Sequence, residues 1–403
     1  MKKLIAAVTL FGFILMTAIS STVTLAASNI NAYDSDTINH YIQSTSMDKL
    51  QSRSALLVDL KTNRVLFSKK ADERQSIASL TKVMTMLLIM EAIDSKKISM
   101  NDKVTASEQA YYTEGSQVWL DVGEVFTVRE LMEALAIHSA NDAGVALAEF
   151  VSGSENAFVQ AMNDKATALH LKNTQFMDCS GLLDMDKGHF SSANDLAVIS
   201  KELINKHPKI LEFTTIVRKA FRPGPKLVYL DNTNKLLTKY SGTVGLKTGF
   251  TTLAGYNLIT VTERDDMRLL SIVMGSDTSN RRYAESIKLL DHGFANYKYV
   301  TKAKSRSIAA AVDIRDGAEL QINGIFLKDA VLCVKDSEKV TSAFVPAAEV
   351  KAPIKAGAVI GKMTYMSGTK TIQSFNVVAE KDMDEANIFL KFWRWLIGLF
   401  GFK

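Results

Sequence analysis

The chain has 403 residues, a formal charge of +5 and 47% hydrophobic residues, with 23% charged. That length supplies two or three domains with real cores, and the composition excludes a disordered chain. Two cysteines exclude a disulfide framework or a Cys-rich zinc module, and so dilute a positive surplus excludes the basic stripe of a nucleic-acid binder.

Lys2 and Lys3 precede an apolar run from Leu4 to Ile19, and small residues follow up to Ala26 and Ala27. This is the pattern of a secretory signal peptide over 1–26, with an uncleaved anchor as the alternative. Its removal takes two lysines and no acid and lowers +5 to +3. The mature protein is then exported and works outside the cytoplasmic membrane. Residues 27–50 are polar and read as a loose lead-in. Ala55–Leu60, the turn Lys61–Arg64 and Val65–Phe67 read as strand, turn and strand. A long apolar helix is predicted over Leu80–Ile93. Thr127 and Glu130 form a capping-box match that opens a helix ending near His138. Helices over 142–151 and 155–169 follow. Ala254–Thr262 and Met267–Met274 form a hairpin, and a helix spans about 279–297. Strands, many helices and strands again point to an α/β domain, 51–300, whose first and last segments share one antiparallel sheet.

From Thr301 short β-branched runs alternate with Asp, Gly and Lys turns, so 301–380 reads as a small all-β domain. Residues 384–403 end in an aromatic segment. There Asn387, Lys391, Arg394, Gly398 and Gly401 recur at spacings of four, three, four and three and gather on one helical stripe. A spanning helix would bury Lys391 and Arg394 near mid-bilayer at about 3 kcal/mol each. A helix lying in the interface avoids that cost and sets Trp393 and Trp395 at headgroup depth. Docking on the protein's own body is the remaining alternative. Cys179 and Cys333 fall in different predicted domains and read as thiols.

Three short motifs carry the chemistry. Ser79-Leu-Thr-Lys82 opens the long apolar helix, near the positive end of its dipole, with the lysine one turn on from the serine. A serine needs a base, and a lysine serves if burial or neighbouring cations lower its pKa. Ser139-Ala-Asn141 lies in the break between two helices. Ser192-Ala-Asn194 repeats it but reads as a helix cap. Lys247-Thr248-Gly249 opens a strand-like run, where glycine allows close approach and the other two can hold a carboxylate. His189 pairs with nothing and reads as a turn or helix-start residue. Cys179 adjoins a loop that could border the cleft, and Asn234 could line it.

In this order, S-x-x-K, S-x-N and K-T-G form the signature of the active-site serine penicillin-recognising enzymes. With the segments Gly188–Ala197, Val244–Thr251 and Ala254–Tyr256, the chain resembles the low-molecular-weight penicillin-binding proteins. These are the D-alanyl-D-alanine carboxypeptidases of peptidase family S11 related to penicillin-binding protein 5, and the likeness is closest to the spore-former branch. The resemblance covers roughly 50–380. It implies a β-lactamase/transpeptidase-like α/β domain, a β-rich second domain and a C-terminal amphipathic anchor. By motif it makes Ser79 the nucleophile, Lys82 its base and Ser139 the proton relay. It makes Asn141 a substrate-amide ligand and Lys247, Thr248 and Gly249 the carboxylate site, with Arg282 near it. The oxyanion hole would be the backbone N–H groups of Ser79 and Phe250. The implied partners are peptidoglycan stem peptides ending in D-Ala-D-Ala, β-lactams and, through 384–403, the membrane surface, with no nucleic acid, no metal and no other cofactor. A class A β-lactamase is disfavoured because no E-x-x-L-N segment follows the S-x-N motif. A transpeptidase or D,D-endopeptidase shares the same residues. A silent murein-binding scaffold is disfavoured by three intact motifs.

Overall fold

The computed structural model describes residues 32–222 and 224–399; the signal peptide predicted over 1–26 lies outside them. The described residues form two units. One combines those up to Leu60 with Val65–Gly293, and the other combines Lys61–Arg64 with those from Phe294 onward.

The first unit is built on one sheet with the strands β1 (Ser54–Asp59), β2 (Val65–Lys69), β3 (Thr243–Thr251), β4 (Gly255–Arg264) and β5 (Met267–Ser276). Their order is β2-β1-β5-β4-β3, every pair antiparallel. The early and late segments of the domain share the sheet as expected, since β1 pairs with β5 from Ser54 opposite Met274 to Asp59 opposite Leu269. All six residues of β1 are buried, which is why its run is nearly continuous in apolar residues instead of alternating.

The segment expected to be a loose lead-in instead holds α1 (Ser35–Ser44). Asp34 caps it by accepting from Asp36 N, and Ile38 is its buried residue. One apolar anchor is too little periodicity to be read from sequence. After a 3-10 turn, Ala78–Thr81, comes α2 (Lys82–Asp94), buried almost all round. A helix apolar on every face belongs inside a core, and its Val83, Met84, Met86, Leu87, Ile89 and Met90 are all fully buried. The Thr127–Glu130 capping box is formed at Val128–Glu133, which runs into a π turn, Ala134–His138. The next helices are α3 (Asn141–Ser152), α4 (Glu155–Ala168) and α5 (Ala193–Lys206). As expected, the second Ser-Ala-Asn copy is a helix start, with Ser192 Oγ accepting from Asp195 N at 3.2 Å. A hairpin of Arg218–Phe221 and Val228–Asp231, unforeseen from the sequence, precedes β3. Helix α6 (Ser279–Asn296) follows β5.

The second unit is all-β apart from its last helix. Tyr297–Ala303 pairs with Ala330–Lys335. A five-stranded antiparallel sheet takes the order Ile308–Asp313, Gln321–Phe326, Lys370–Ala379, Val359–Ser367 and Val340–Pro346. Val312, Ile322, Ile360 and Val377 form one of its cores. Helix α7 (Ile388–Leu399) turns its polar residues inward. Arg394 donates to the carbonyls of Gly317 and Ala318 at 2.6 and 2.9 Å, and Lys391 pairs with Glu385. Ile388, Phe389, Phe392, Trp393 and Trp395 face outward. No helix among the described residues is long and apolar enough to cross a membrane.

Candidate active site

The start of α2, the loop before α3 and the strand β3 meet around a cleft of about 400 Å³. It is lined by Ser79, Ser139, Asn141, Thr248, Gly249, Phe250 and Arg282 from the motifs, and by Gly115, Ser116, Gly181, Leu182, Thr233 and Thr251 outside them. None of these described lining residues is acidic. Lys82 and Lys247 stand buried behind the wall.

Ser79 lies in the 3-10 turn, so its side chain projects from the mouth of α2 while Lys82 follows on the same face. Lys82 Nζ is 3.0 Å from Ser79 Oγ, 2.6 Å from Asn141 Oδ1 and 2.6 Å from the Ser180 carbonyl. Burial lowers its pKa to about 8, against the opposing pull of Asp178, Cys179 and Asp142. At that value the ammonium gives up its proton readily, as a general base for serine requires.

Ser139 closes the π turn in the left-handed region, with φ at 66°. This conformation aims the residue off the helix path, and its Oγ is buried without a hydrogen-bond partner among the described residues. A buried hydroxyl with no partner is unfavourable alone and gains from a polar ligand. Asn141 is tied at both ends, its Oδ1 to Lys82 and its Nδ2 to the Glu114 carbonyl at 2.6 Å. In this arrangement it holds the lysine at least as firmly as it faces the cleft.

On the other wall, Gly249 brings β3 against the nucleophile turn. A Cβ there would lie 2.9 Å from the Ile77 carbonyl oxygen and 3.1 Å from Ser79 N. Glycine therefore lets the Phe250 backbone stand beside the Ser79 backbone, while the Phe250 ring rests on Tyr256 with centroids 4.3 Å apart. Lys247 Nζ donates to the Thr248 carbonyl at 3.0 Å. Burial, and then the neighbouring charges of Lys82 and Arg282, push its pKa well below the ordinary lysine value. Thr248 Oγ1 donates to Thr233 Oγ1 at 2.7 Å. Arg282 is fully buried, donates to Ser279 Oγ and Tyr283 Oη at 3.2 Å each, and stacks under Tyr256. Three cationic side chains thus surround a cleft without an acid.

The remaining candidates fall elsewhere. Asn234 is buried and donates to the Gly245 carbonyl at 3.0 Å; its neighbour Thr233 reaches the cleft instead. Cys179 and Cys333 are buried and not joined in a disulfide, and Cys179 is absent from the cleft wall. His189 does follow the turn Met185–Lys187, but it is fully buried, with Nε2 2.7 Å from Thr81 Oγ1 and Nδ1 accepting from Met177 N at 3.1 Å. The helix that follows is capped by Ser192.

Residues 41–278 match the D-alanyl-D-alanine carboxypeptidase family, and residues 297–385 match the C-terminal domain of penicillin-binding protein 5. The D-alanyl-D-alanine carboxypeptidase DacF of Bacillus subtilis is 39% identical over 85% of this chain and 88% of its own length. DacA of Escherichia coli, another such carboxypeptidase, is 34% identical over 95% of this chain and 96% of its own. Penicillin-binding protein 5 of Haemophilus influenzae superposes with a TM-score of 0.76 at 32% identity, covering 83% of this chain and 98% of that one. Penicillin-binding protein D2 of Listeria monocytogenes, solved with ampicillin bound, superposes with a TM-score of 0.56 at 33% identity over 61% of this chain and 98% of its own. A serine on an acid-free cleft with a buried lysine beside it, two matched domains and relatives alike over most of their length lead to one assignment: the chain belongs to the D-alanyl-D-alanine carboxypeptidase family.

Proposed function

We propose that the protein removes the terminal D-Ala from peptidoglycan pentapeptide stems through an acyl-enzyme on Ser79. The observation that carries this reading is the 3.0 Å contact between Ser79 Oγ and a Lys82 ammonium whose pKa burial has lowered to about 8. Lys82, having lost its ammonium proton, takes the serine proton as Oγ attacks the carbonyl of the penultimate D-Ala. The backbone N–H groups of Ser79 and Phe250 receive the oxyanion. Ser139 passes a proton to the leaving amine, and its unpartnered hydroxyl suits that task. Asn141 orients Lys82 and contacts the substrate amide. Lys247, Thr248 and Arg282 hold the terminal carboxylate, while Gly249 lets the β3 strand pack against the nucleophile turn. Water then hydrolyses the ester. A β-lactam would acylate the same serine and be trapped there.

Labelled penicillin tests the reading directly. The native chain should take up one covalent label, and Ser79→Ala should take none; label that survives the substitution overturns it. Incubation with a stem peptide ending in D-Ala-D-Ala separates free D-Ala release from a cross-linked product, which would mark a transpeptidase instead.

The same reading includes export through the 1–26 leader, a peptidase domain over 51–300, a β domain over 301–380 and peripheral anchoring by 384–403 at the outer face of the cytoplasmic membrane. Support for the anchor comes from α7. Its polar side chains are engaged with their own domain, so five large apolar residues are left for the interface. Deleting 384–403 should move the protein from the membrane to the soluble fraction with its activity retained. A truncated chain that stays membrane-bound refutes this role.

A further inference from the structure

The buried histidine behind the nucleophile has a chemical task that no motif assigns. Met177 N–H donates to His189 Nδ1, so that nitrogen is the acceptor and the ring proton sits on Nε2. Nε2–H therefore donates to Thr81 Oγ1 at 2.7 Å, and the threonine hydroxyl donates onward to the Ala78 carbonyl at 2.8 Å. That carbonyl belongs to the same peptide unit as the N–H of Ser79. Ala78 is held in the left-handed region with φ at 47°, a conformation an alanine adopts only when its surroundings impose it. Gly181, with φ at 83°, packs on the same peptide so closely that a Cβ there would overlap the Ala78 carbonyl and reach within 2.8 Å of Thr81 Oγ1.

We propose that His189 is a positioning residue for the oxyanion hole, acting through Thr81 on the Ala78–Ser79 peptide. The proposal rests on the reading of Ser79 N–H as an oxyanion donor. Hydrogen bonds in a chain polarise one another, and a donor on the carbonyl side of a peptide strengthens the N–H on its other side. The chain from His189 through Thr81 also fixes the plane of that peptide, so its N–H is aimed before charge develops, and no reorganisation is needed at the moment of reaction. The histidine's own surroundings keep it in the neutral tautomer this task needs. Burial and the nearby Lys82 charge lower its pKa, while Asp178 and Asp184 act in the opposite sense. Asp178 Oδ2 stands 3.8 Å from Nδ1.

The test is kinetic, on the full chain, with a peptide ending in D-Ala-D-Ala and with labelled penicillin. His189→Leu and Thr81→Val should each lower kcat and the acylation rate roughly tenfold, a part of the ~10²–10³-fold loss that follows removal of a whole oxyanion donor. KM should move less than about twofold, since the bonds in question act on the transition state. Thr81→Ser, which keeps the hydroxyl, and His189→Gln, whose amide N–H can reach Thr81, should recover most of the rate. Because the two residues act in series, the double variant should be no slower than Thr81→Val alone. Folded single variants with native kcat, a KM effect in place of a kcat effect, or losses that multiply in the double variant would each overturn the proposal. If His189→Leu fails to fold, Thr81→Val is nearly isosteric and reads the same link. A native chain that takes no penicillin label sinks the serine mechanism and this inference with it. Normal labelling with unaffected variants sinks the inference alone.

Discussion

Lys82 and Lys247 carry the same ammonium and are both buried, at 0% and 1% exposure, yet the two sides of the cleft treat them differently. Lys82 has three oxygen acceptors, and Asp178 and Asp142 offset part of its burial. Its pKa of about 8 leaves it about a tenth neutral at pH 7. Lys247 donates to the Thr248 carbonyl, while Lys82 and Arg282 add repulsion to its burial. One side is balanced near working pH and suits proton transfer. The other is short of negative charge, and an anion in the cleft would supply it. Burial lowers both lysines; the surrounding charges divide base from anchor.

The largest effect is expected where the balance is finest. Lys82→Met should cut the acylation rate by roughly 10³-fold, within the range for loss of a general base. Neutral Lys82 is the active form, so the native rate should rise with pH and level off above about 8. That rising limb should vanish in Lys82→Met. The same limb persisting in the variant's residual activity would show that another group titrates there and would break the contrast between the two sides.

The anchor side should respond in KM. Lys247→Met removes a charged partner of the substrate carboxylate, about 1.5–3 kcal/mol, or roughly 10- to 100-fold in KM. Because the pKa of Lys247 is already depressed, its ammonium is lost as pH rises, and KM for the native enzyme should climb at alkaline pH. A substrate whose terminal carboxylate is replaced by a carboxamide should bind the native enzyme weakly and lose little more in Lys247→Met. Equal losses for acid and amide would assign Lys247 a structural role.

Much of this site was legible in the sequence because its chemistry needs fixed residue types at fixed backbone features. Ser79 and Lys82 share a helix face, Gly249 marks a close approach, and the antiparallel return of β5 to β1 follows from the order of apolar runs. The two Ser-Ala-Asn copies were separable on capping logic. Ser192 is bonded to Asp195 N, whereas Ser139 sits left-handed beyond a π turn with its hydroxyl unpartnered. What sequence could not give were residues brought in by loops. Gly115, Leu182 and Thr233 enter the cleft from three separate connections with no periodic pattern. His189 meets Thr81 across 108 positions of chain, so the sequence shows the turn it follows but not the buried partner it finds. Helix α1 was missed for the related reason that one buried isoleucine makes no periodicity.

Thr233 offers the finest adjustment of the comparison, because it belongs to the anchor side without any charge of its own. Its hydroxyl accepts from Thr248 Oγ1 at 2.7 Å, and its carbonyl accepts from Tyr283 Oη at 2.9 Å. Tyr283 Oη in turn accepts from Arg282, so Thr233 joins the threonine and the arginine that flank the carboxylate position. Thr233→Val keeps the shape and the carbonyl but removes the hydroxyl. A single neutral hydrogen bond is worth about 0.5–1.5 kcal/mol, which predicts a KM increase of roughly two- to tenfold with kcat nearly unchanged. Thr233→Ser should behave like the native enzyme. A fall in kcat at constant KM would instead place Thr233 with the proton-transfer machinery, and the division of the cleft into a base side and an anchor side would then fail.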